Sequence, residues 1–308
     1  MIIKKSKKVN IIGAPISIAS PYKGASLGPD AIRLSGLYET LTNMNIEYID
    51  SGNIYSLEEP YPPVEFEKGK IRYLDEVYKF CLELKEKVYN SIKNDYLPLV
   101  LGGDHSLAIG SIAGISKYYK EKNQEFGLIW FDAHADFNTE DTSPSGNIHG
   151  MPLAIASGLG NDKLKSIFEN NFLDTKKIVI IGVRSVDPPE GKLINQYGIK
   201  VFTMKDIDEK GMLYCIKEAI KITSPNKNPI HLSFDIDGID SLVIFGTGTP
   251  VMGGVTLREA HLMLEVLAET NLINSVDIVE VNPLLDNRNH TAEVAKSLLT
   301  SILGKVIF

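Results

Sequence analysis

Short, uninterrupted apolar runs alternate along this chain with longer amphipathic stretches, and that alternation narrows the fold more than any other feature. The short runs are 9–12, 46–50, 97–101, 126–131, 178–181, 200–202, 230–234 and 275–280. Several have no polar residue on either side, as strands buried on both faces do. Between them, 30–41, 71–92, 107–118, 213–222, 257–269 and 292–303 place apolar residues three and four apart. That is the spacing of helices with one buried face. Strand and helix in regular succession predict α/β architecture, a three-layer α/β/α sandwich around a mostly parallel sheet. No linker, repeat or low-complexity block interrupts the pattern, so 1–308 reads as one domain.

In such sheets, ligands bind beyond the carboxyl ends of the strands. Chemistry-bearing residues should therefore crowd just after the apolar runs, and they do. Run 97–101 is followed by GGDHS, 126–131 by DAHAD, 178–181 by GVRSVDPPE, and 230–234 by DIDGID; 275–280 passes directly into EVNP. Residues two apart in extended chain point the same way. Asp132, His134 and Asp136 are thus expected to converge, as are Asp235 and Asp237, with His105 joining from a third strand end. Four carboxylates and two imidazoles are more than one metal ion uses while keeping a position open for chemistry. Two divalent ions sharing bridging carboxylates fit the inventory, and their chemistry is metal-assisted hydrolysis. Hard oxygen donors with some imidazole suit Mn2+, although affinity order alone does not choose among Mn, Zn, Co and Fe.

His149 closes the polar run SGNIH and can act as a proton shuttle, since an imidazole titrates near neutrality. His231 lies inside an apolar run and reads as structural; His261 and His290 fall in helical contexts. Glu280 ends an apolar run, where a carboxylate is costly unless it meets a cation. A substrate guanidinium would be one such cation, through paired hydrogen bonds. A protein arginine would be another.

Bulk properties exclude some classes. A formal net charge of -7 argues against a nucleic-acid binder. No segment reaches the roughly 18 apolar residues of a membrane span. Lys4, Lys5, Lys7 and Lys8 precede an apolar run, but Asn10, Gly13 and Pro15 break it, so a first strand is the better reading than a signal peptide. Cys81 and Cys215 sit far apart in helix-like patterns and read as two buried thiols, consistent with a reducing, cytoplasmic compartment.

GGDHS, DAHAD, SFDIDGID and GTGTPVMGG, in that order, resemble the ureohydrolase family of arginases, agmatinases and related guanidino hydrolases. The likeness runs from IIGAP and GPDAIR near the start to EVNP and the last helix. It implies an arginase-like fold, a trimer or hexamer, and two manganese ions per subunit. By position, His105, Asp132, Asp136 and Asp235 would hold one ion and Asp132, His134, Asp235 and Asp237 the other, with Asp132 and Asp235 bridging. A metal-bridging hydroxide would attack the guanidinium carbon and release urea and an amine. Asp136 would hold the nucleophile, His149 would shuttle the proton, and Glu280 would clamp the guanidinium, with Thr249 nearby.

Within that family, NTEDTSPSGNIHG resembles the arginase segment that reads the amino-acid end of L-arginine. Asn138, Ser143, Ser145 and Asn147 match positions that contact the α-carboxylate or α-amino group. Asp187 and Glu190 match the α-amino side. Val251 stands where agmatinases tend to carry Glu. The resemblance therefore implies an arginase acting on L-arginine. Agmatinase or another guanidino hydrolase is the alternative, and a non-catalytic metal-binding regulator is a further one. One segment departs: 241–246 reads SLVIFG where the family usually has two prolines, and Ser185 stands where some arginases carry an acid.

Overall fold

The computed structural model describes residues 8–54, 65, 67 and 69–305. Of the four N-terminal lysines, Lys4, Lys5 and Lys7 lie outside these residues. Eight strands form one sheet: β1 (Lys8–Ala14), β2 (Glu47–Asn53), β3 (Leu97–Gly102), β4 (Gly127–Phe131), β5 (Ile178–Val183), β6 (Lys200–Thr203), β7 (Ile230–Asp235) and β8 (Ile273–Val279). Their order is β2-β1-β3-β8-β7-β4-β5-β6, and every neighbouring pair is parallel. All eight runs predicted from the sequence are strands. The inner strands β3, β4, β5 and β7 are buried along their whole length, which is why they lack polar alternation.

Helices cover both faces and seal two apolar layers. On one side Leu74–Lys93 and Ala108–Glu121 bury Phe80, Leu84, Ile109 and Ile112 against the sheet. On the other, Met212–Thr223, Leu257–Thr270 and His290–Ile302 bury Ile216, Met263 and Leu298. The first pair packs closely because two glycines face the neighbouring backbone. A Cβ on Gly110 would meet the carbonyl oxygen of Cys81 at 2.7 Å, and one on Gly114 that of Lys85 at 2.5 Å.

Two differences from the sequence reading have clear causes. The single helix expected over 30–41 is two, Gly28–Leu34 and Leu37–Asn43, because Gly36 adopts φ 92° and turns the chain between them. Helices Pro152–Ala156, Pro188–Tyr197 and Met204–Lys210 were not anticipated. They are short, and PPEGKLINQY carries too few apolar residues to show a period. His231 is buried, with Nδ1 2.9 Å from Ser275 Oγ and Nε2 3.2 Å from Asp277, as a structural histidine should be. Cys81 and Cys215 are buried free thiols.

Because all strands run the same way, their carboxyl ends share one rim. The four central strands β3, β8, β7 and β4 stand side by side there. They deliver His105, Glu280, Asp235 and Asp132 in that order.

Candidate metal centre and active site

Turns, rather than extended chain, bring the acids together. β4 ends at Phe131, and the Asp132 side chain at once accepts the His134 N–H at 2.7 Å. Asp136 follows in the left-handed region at φ 49°. After β7 the Asp235 side chain accepts the Asp237 N–H at 2.7 Å and opens the 3₁₀ turn Ile236–Gly238. Convergence was legible in the sequence; its geometry is two side-chain-capped turns, which alternation alone does not describe.

The result is two overlapping groups. His105 Nδ1 lies 3.2 Å from Asp132, 3.1 Å from Asp136 and 3.2 Å from Asp235. His134 Nδ1 lies 3.3 Å from Asp132 and 3.2 Å from Asp237. His105, Asp132 and Asp136 have ligand atoms spaced to hold one ion, and so do Asp132, His134 and Asp237, with Asp132 common to both. Asp235 reaches the first group through its contact with His105.

So many acids in a buried space cannot all ionise freely. Burial, with repulsion from Asp237 and Asp132, drives the Asp235 carboxyl well above the usual range. Burial and the nearby Asp132 push Asp136 up to about 6. Burial also opposes ionisation of Asp132, but the His105 and His134 imidazoles beside it outweigh that and hold this carboxyl far below its ordinary value. These are the signs of a site that needs added positive charge.

The donor set fits a metal on a further observation. His105 Nε2 is 2.9 Å from Ser233 Oγ, and buried Nδ1 has no hydrogen-bond partner although three carboxylates surround it. If Nε2 donates to Ser233, the Nδ1 lone pair points at these oxygen atoms, an arrangement that a bound metal ion satisfies. Trp130 stacks on the His105 ring at 3.9 Å and donates Nε1–H to Asp132 at 3.0 Å, fixing two donors at once.

Beside this cluster lies a cavity of about 150 Å³. His134, Asp136, Asp235, His149 and Thr249 form its inner wall; Asn138, Ser143, Ser145 and Asn147, with Asp187 and Glu190, line the rest. These residues, all named from the sequence, line one cavity. Thr249 Oγ1 donates to Asp237 at 3.1 Å. Asn138 Nδ2 donates to Asp187 at 3.2 Å. Both oxygens of Glu190 are taken by backbone N–H groups, of Phe137 at 2.8 Å and Asp187 at 3.1 Å, and burial pushes its carboxyl up to about 7. Glu280 is not in the cavity wall. It is 1% exposed and accepts the His105 N–H at 2.9 Å, with His149 Nδ1 3.3 Å away.

Three contributors were missed in the sequence. Trp130 looked like strand filling, and Ser233 was hidden inside an apolar run. Arg184, in GVRSV, donates to the carbonyls of Gly182, Asp237, Gly238, Ile239 and Val251. It ties the Asp237 turn to the loop that carries Thr249. The divergent segment 241–246 is also tied down: Asp240 caps Leu242, Ile244 is fully buried, and Gly246 is bonded to Thr291 and Asn282. Buried apolar contact and these bonds hold the loop without the two prolines.

An all-parallel α/β/α sandwich that gathers overlapping acid–imidazole groups and a polar cavity at its central strand ends defines the ureohydrolase class. The sequence model of the arginase family matches residues 7–304. An arginase of Staphylococcus aureus (strain COL) is 43% identical over 304 residues, covering 98% of this chain and 99% of that one. The solved arginase of Bacillus caldovelox superposes with a TM-score of 0.93 at 41% identity, over 98% of this chain and 100% of that one. The Entamoeba histolytica arginase, solved in complex with L-ornithine, gives 0.90 at 36% over the same shares. The chain belongs to the arginase family, whose fold carries a binuclear metal site.

Proposed function

We propose that this protein hydrolyses the guanidinium C–N bond of L-arginine to give L-ornithine and urea, with manganese as its metal. The observation that carries this reading is the meeting, in one cavity, of the acid–imidazole cluster and the polar segment 138–147. The arginase relatives at 41–43% identity support it. His105, Asp132, His134, Asp136, Asp235 and Asp237 would hold two ions. When bound, such ions supply a water acidified toward neutrality and an electrophile for the guanidinium.

The chain's own residues do the rest. Asp136 sits in the cavity wall where it can accept the proton released by the attacking water. His149 is oriented by Glu280 through Nδ1, leaving Nε2 to hand a proton to the departing amine. Glu280, buried behind the cavity wall with one oxygen engaged by His105 and His149, would offer Oε2 to a guanidinium that reaches past His149. Ser143 and Ser145 accept backbone N–H groups of their own loop, so their hydroxyl hydrogens remain to bond a carboxylate. Asp187, beside Asn138, would attract the α-ammonium.

Among the described residues no helix is long and apolar enough to cross a membrane. A cytoplasmic homotrimer or homohexamer is the setting we propose, the compartment being supported by two buried free thiols.

Urea release by Mn2+-loaded protein, with L-arginine and agmatine in parallel, tests the reading. Urea from L-arginine alone is expected. Urea from agmatine alone would overturn the substrate assignment and keep the hydrolytic centre. Urea from neither would leave a metal-binding protein with another task.

A further inference from the structure

Two asparagine amides line the cavity, and each is tied from outside by a group of fixed hydrogen-bonding character. Arg72 Nη1 donates to Asn147 Oδ1 at 3.1 Å, and the Arg72 backbone N–H donates to Gly146 O at 3.0 Å. A guanidinium only donates. It therefore decides which end of the amide is oxygen, a choice otherwise ambiguous for asparagine. The Asn147 NH2 group is left for the cavity that Asn147 lines, with no other partner among the described residues. At Asn138 the order is reversed. Its NH2 donates to Asp187, and its Oδ1 is buried without a partner. One amide thus offers the cavity a donor, the other an acceptor.

Charge makes the donor end matter. Beyond the ion ligands the cavity wall carries acidic Asp187, beside Asn138, which disfavours an anionic ligand group unless a donor faces it. Arg72 puts a positive charge directly behind Asn147. It is itself held in place, with its guanidinium 5.4 Å from the centre of the Tyr73 ring, and Lys23 lies 5.5 Å from the same ring. Tyr73 is buried and takes the left-handed conformation at φ 55° to begin helix Leu74–Lys93.

We propose that Arg72 is a positioning residue for substrate recognition: it locks the Asn147 amide with its NH2 toward the cavity and so creates the subsite for the α-carboxylate. The inference rests on the reading of the protein as an L-arginine hydrolase, because it assigns the carboxylate end of that substrate.

The test is calorimetric binding of L-ornithine and putrescine to Mn2+-loaded protein, two ligands that differ by the carboxylate. Wild type should prefer L-ornithine. Arg72→Ala should weaken L-ornithine binding about tenfold, the scale of one charge-assisted hydrogen bond, and leave putrescine unchanged. Arg72→Lys should restore part of the preference. Asn147→Asp, which exchanges the donor for an acceptor of the same shape, should abolish it. A wild-type preference that survives in Arg72→Ala or Asn147→Asp overturns the proposal and leaves the function intact. A wild type without preference overturns both the proposal and the assignment of this cavity end, while the urea assay judges the reaction separately. Equal weakening for both ligands in Arg72→Ala, without recovery in Arg72→Lys, would make Arg72 a purely structural residue and sink the proposal.

Discussion

Trp130 donates its indole N–H to Asp132 at 3.0 Å, and Asp132 is the one carboxylate shared by both candidate ion positions. The same ring stacks on His105. Trp130 is also the only tryptophan in the sequence. Its emission therefore reports on the centre alone. Titration of metal-free protein with Mn2+ should quench or shift that emission and saturate at two equivalents. Asp132→Ala should remove the response and, with it, urea release. Emission indifferent to Mn2+ in the wild type would contradict a metal site at these residues.

Ser233 fixes the His105 ring from behind, through Nε2. Ser233→Ala removes that partner and leaves buried Nε2 unmatched. Partners of this kind are typically worth about 10–100-fold in metal affinity. Chelator competition should show a loss of that size, while far-UV circular dichroism stays unchanged. Undiminished affinity would mean that ring packing against Trp130 suffices.

Asn138 and Asp187 are bonded to each other at the cavity wall. Asn138→Ala or Asp187→Ala should raise KM for L-arginine about 10–100-fold, the scale of lost hydrogen bonds to charged groups. The turnover number should change far less, because these groups bind ground state and transition state alike. A fall in kcat with KM constant would move them from recognition into chemistry.

Gly114 stands where helix Ala108–Glu121 crosses helix Leu74–Lys93, and a Cβ there would press on the Lys85 carbonyl oxygen at 2.5 Å. Gly114→Ala raises helix propensity but forces the pair apart. A net destabilisation of about 1–3 kcal/mol is expected from overpacking, measured by urea denaturation. A stabilised variant would show that the two helices can separate without cost.

Much of this was legible because the signals were chemical and local. Buried parallel strands need apolar residues on both faces, so runs such as IVII at 178–181 announce themselves. Acids and histidines placed directly after such runs have few structural excuses, which made Asp132, His134 and Asp237 conspicuous. What escaped was relational. Ser233 is one hydroxyl within IHLSFD, and nothing in that string says that His105, 128 positions away, leans on it. Arg72 and Arg184 act through partners that only the tertiary fold supplies. Helix Pro188–Tyr197 escaped for a simpler reason: it buries only Glu190 and Ile194, so it has no apolar stripe to read.

The strand order has a consequence for biosynthesis. β8 is the last strand in the chain, yet it lies between β3 and β7 in the middle of the sheet. Until it inserts, His105 and Asp235 are held apart by an open gap, and the first ion position is incomplete. A growing chain that has already made all six acid and imidazole groups therefore still lacks the finished His105 position. Metal uptake at the His105 position is therefore expected to follow insertion of β8. A chain truncated before β8 would retain every coordinating side chain, yet His105 would lose the strand that seats it beside the acids of β7 and β4.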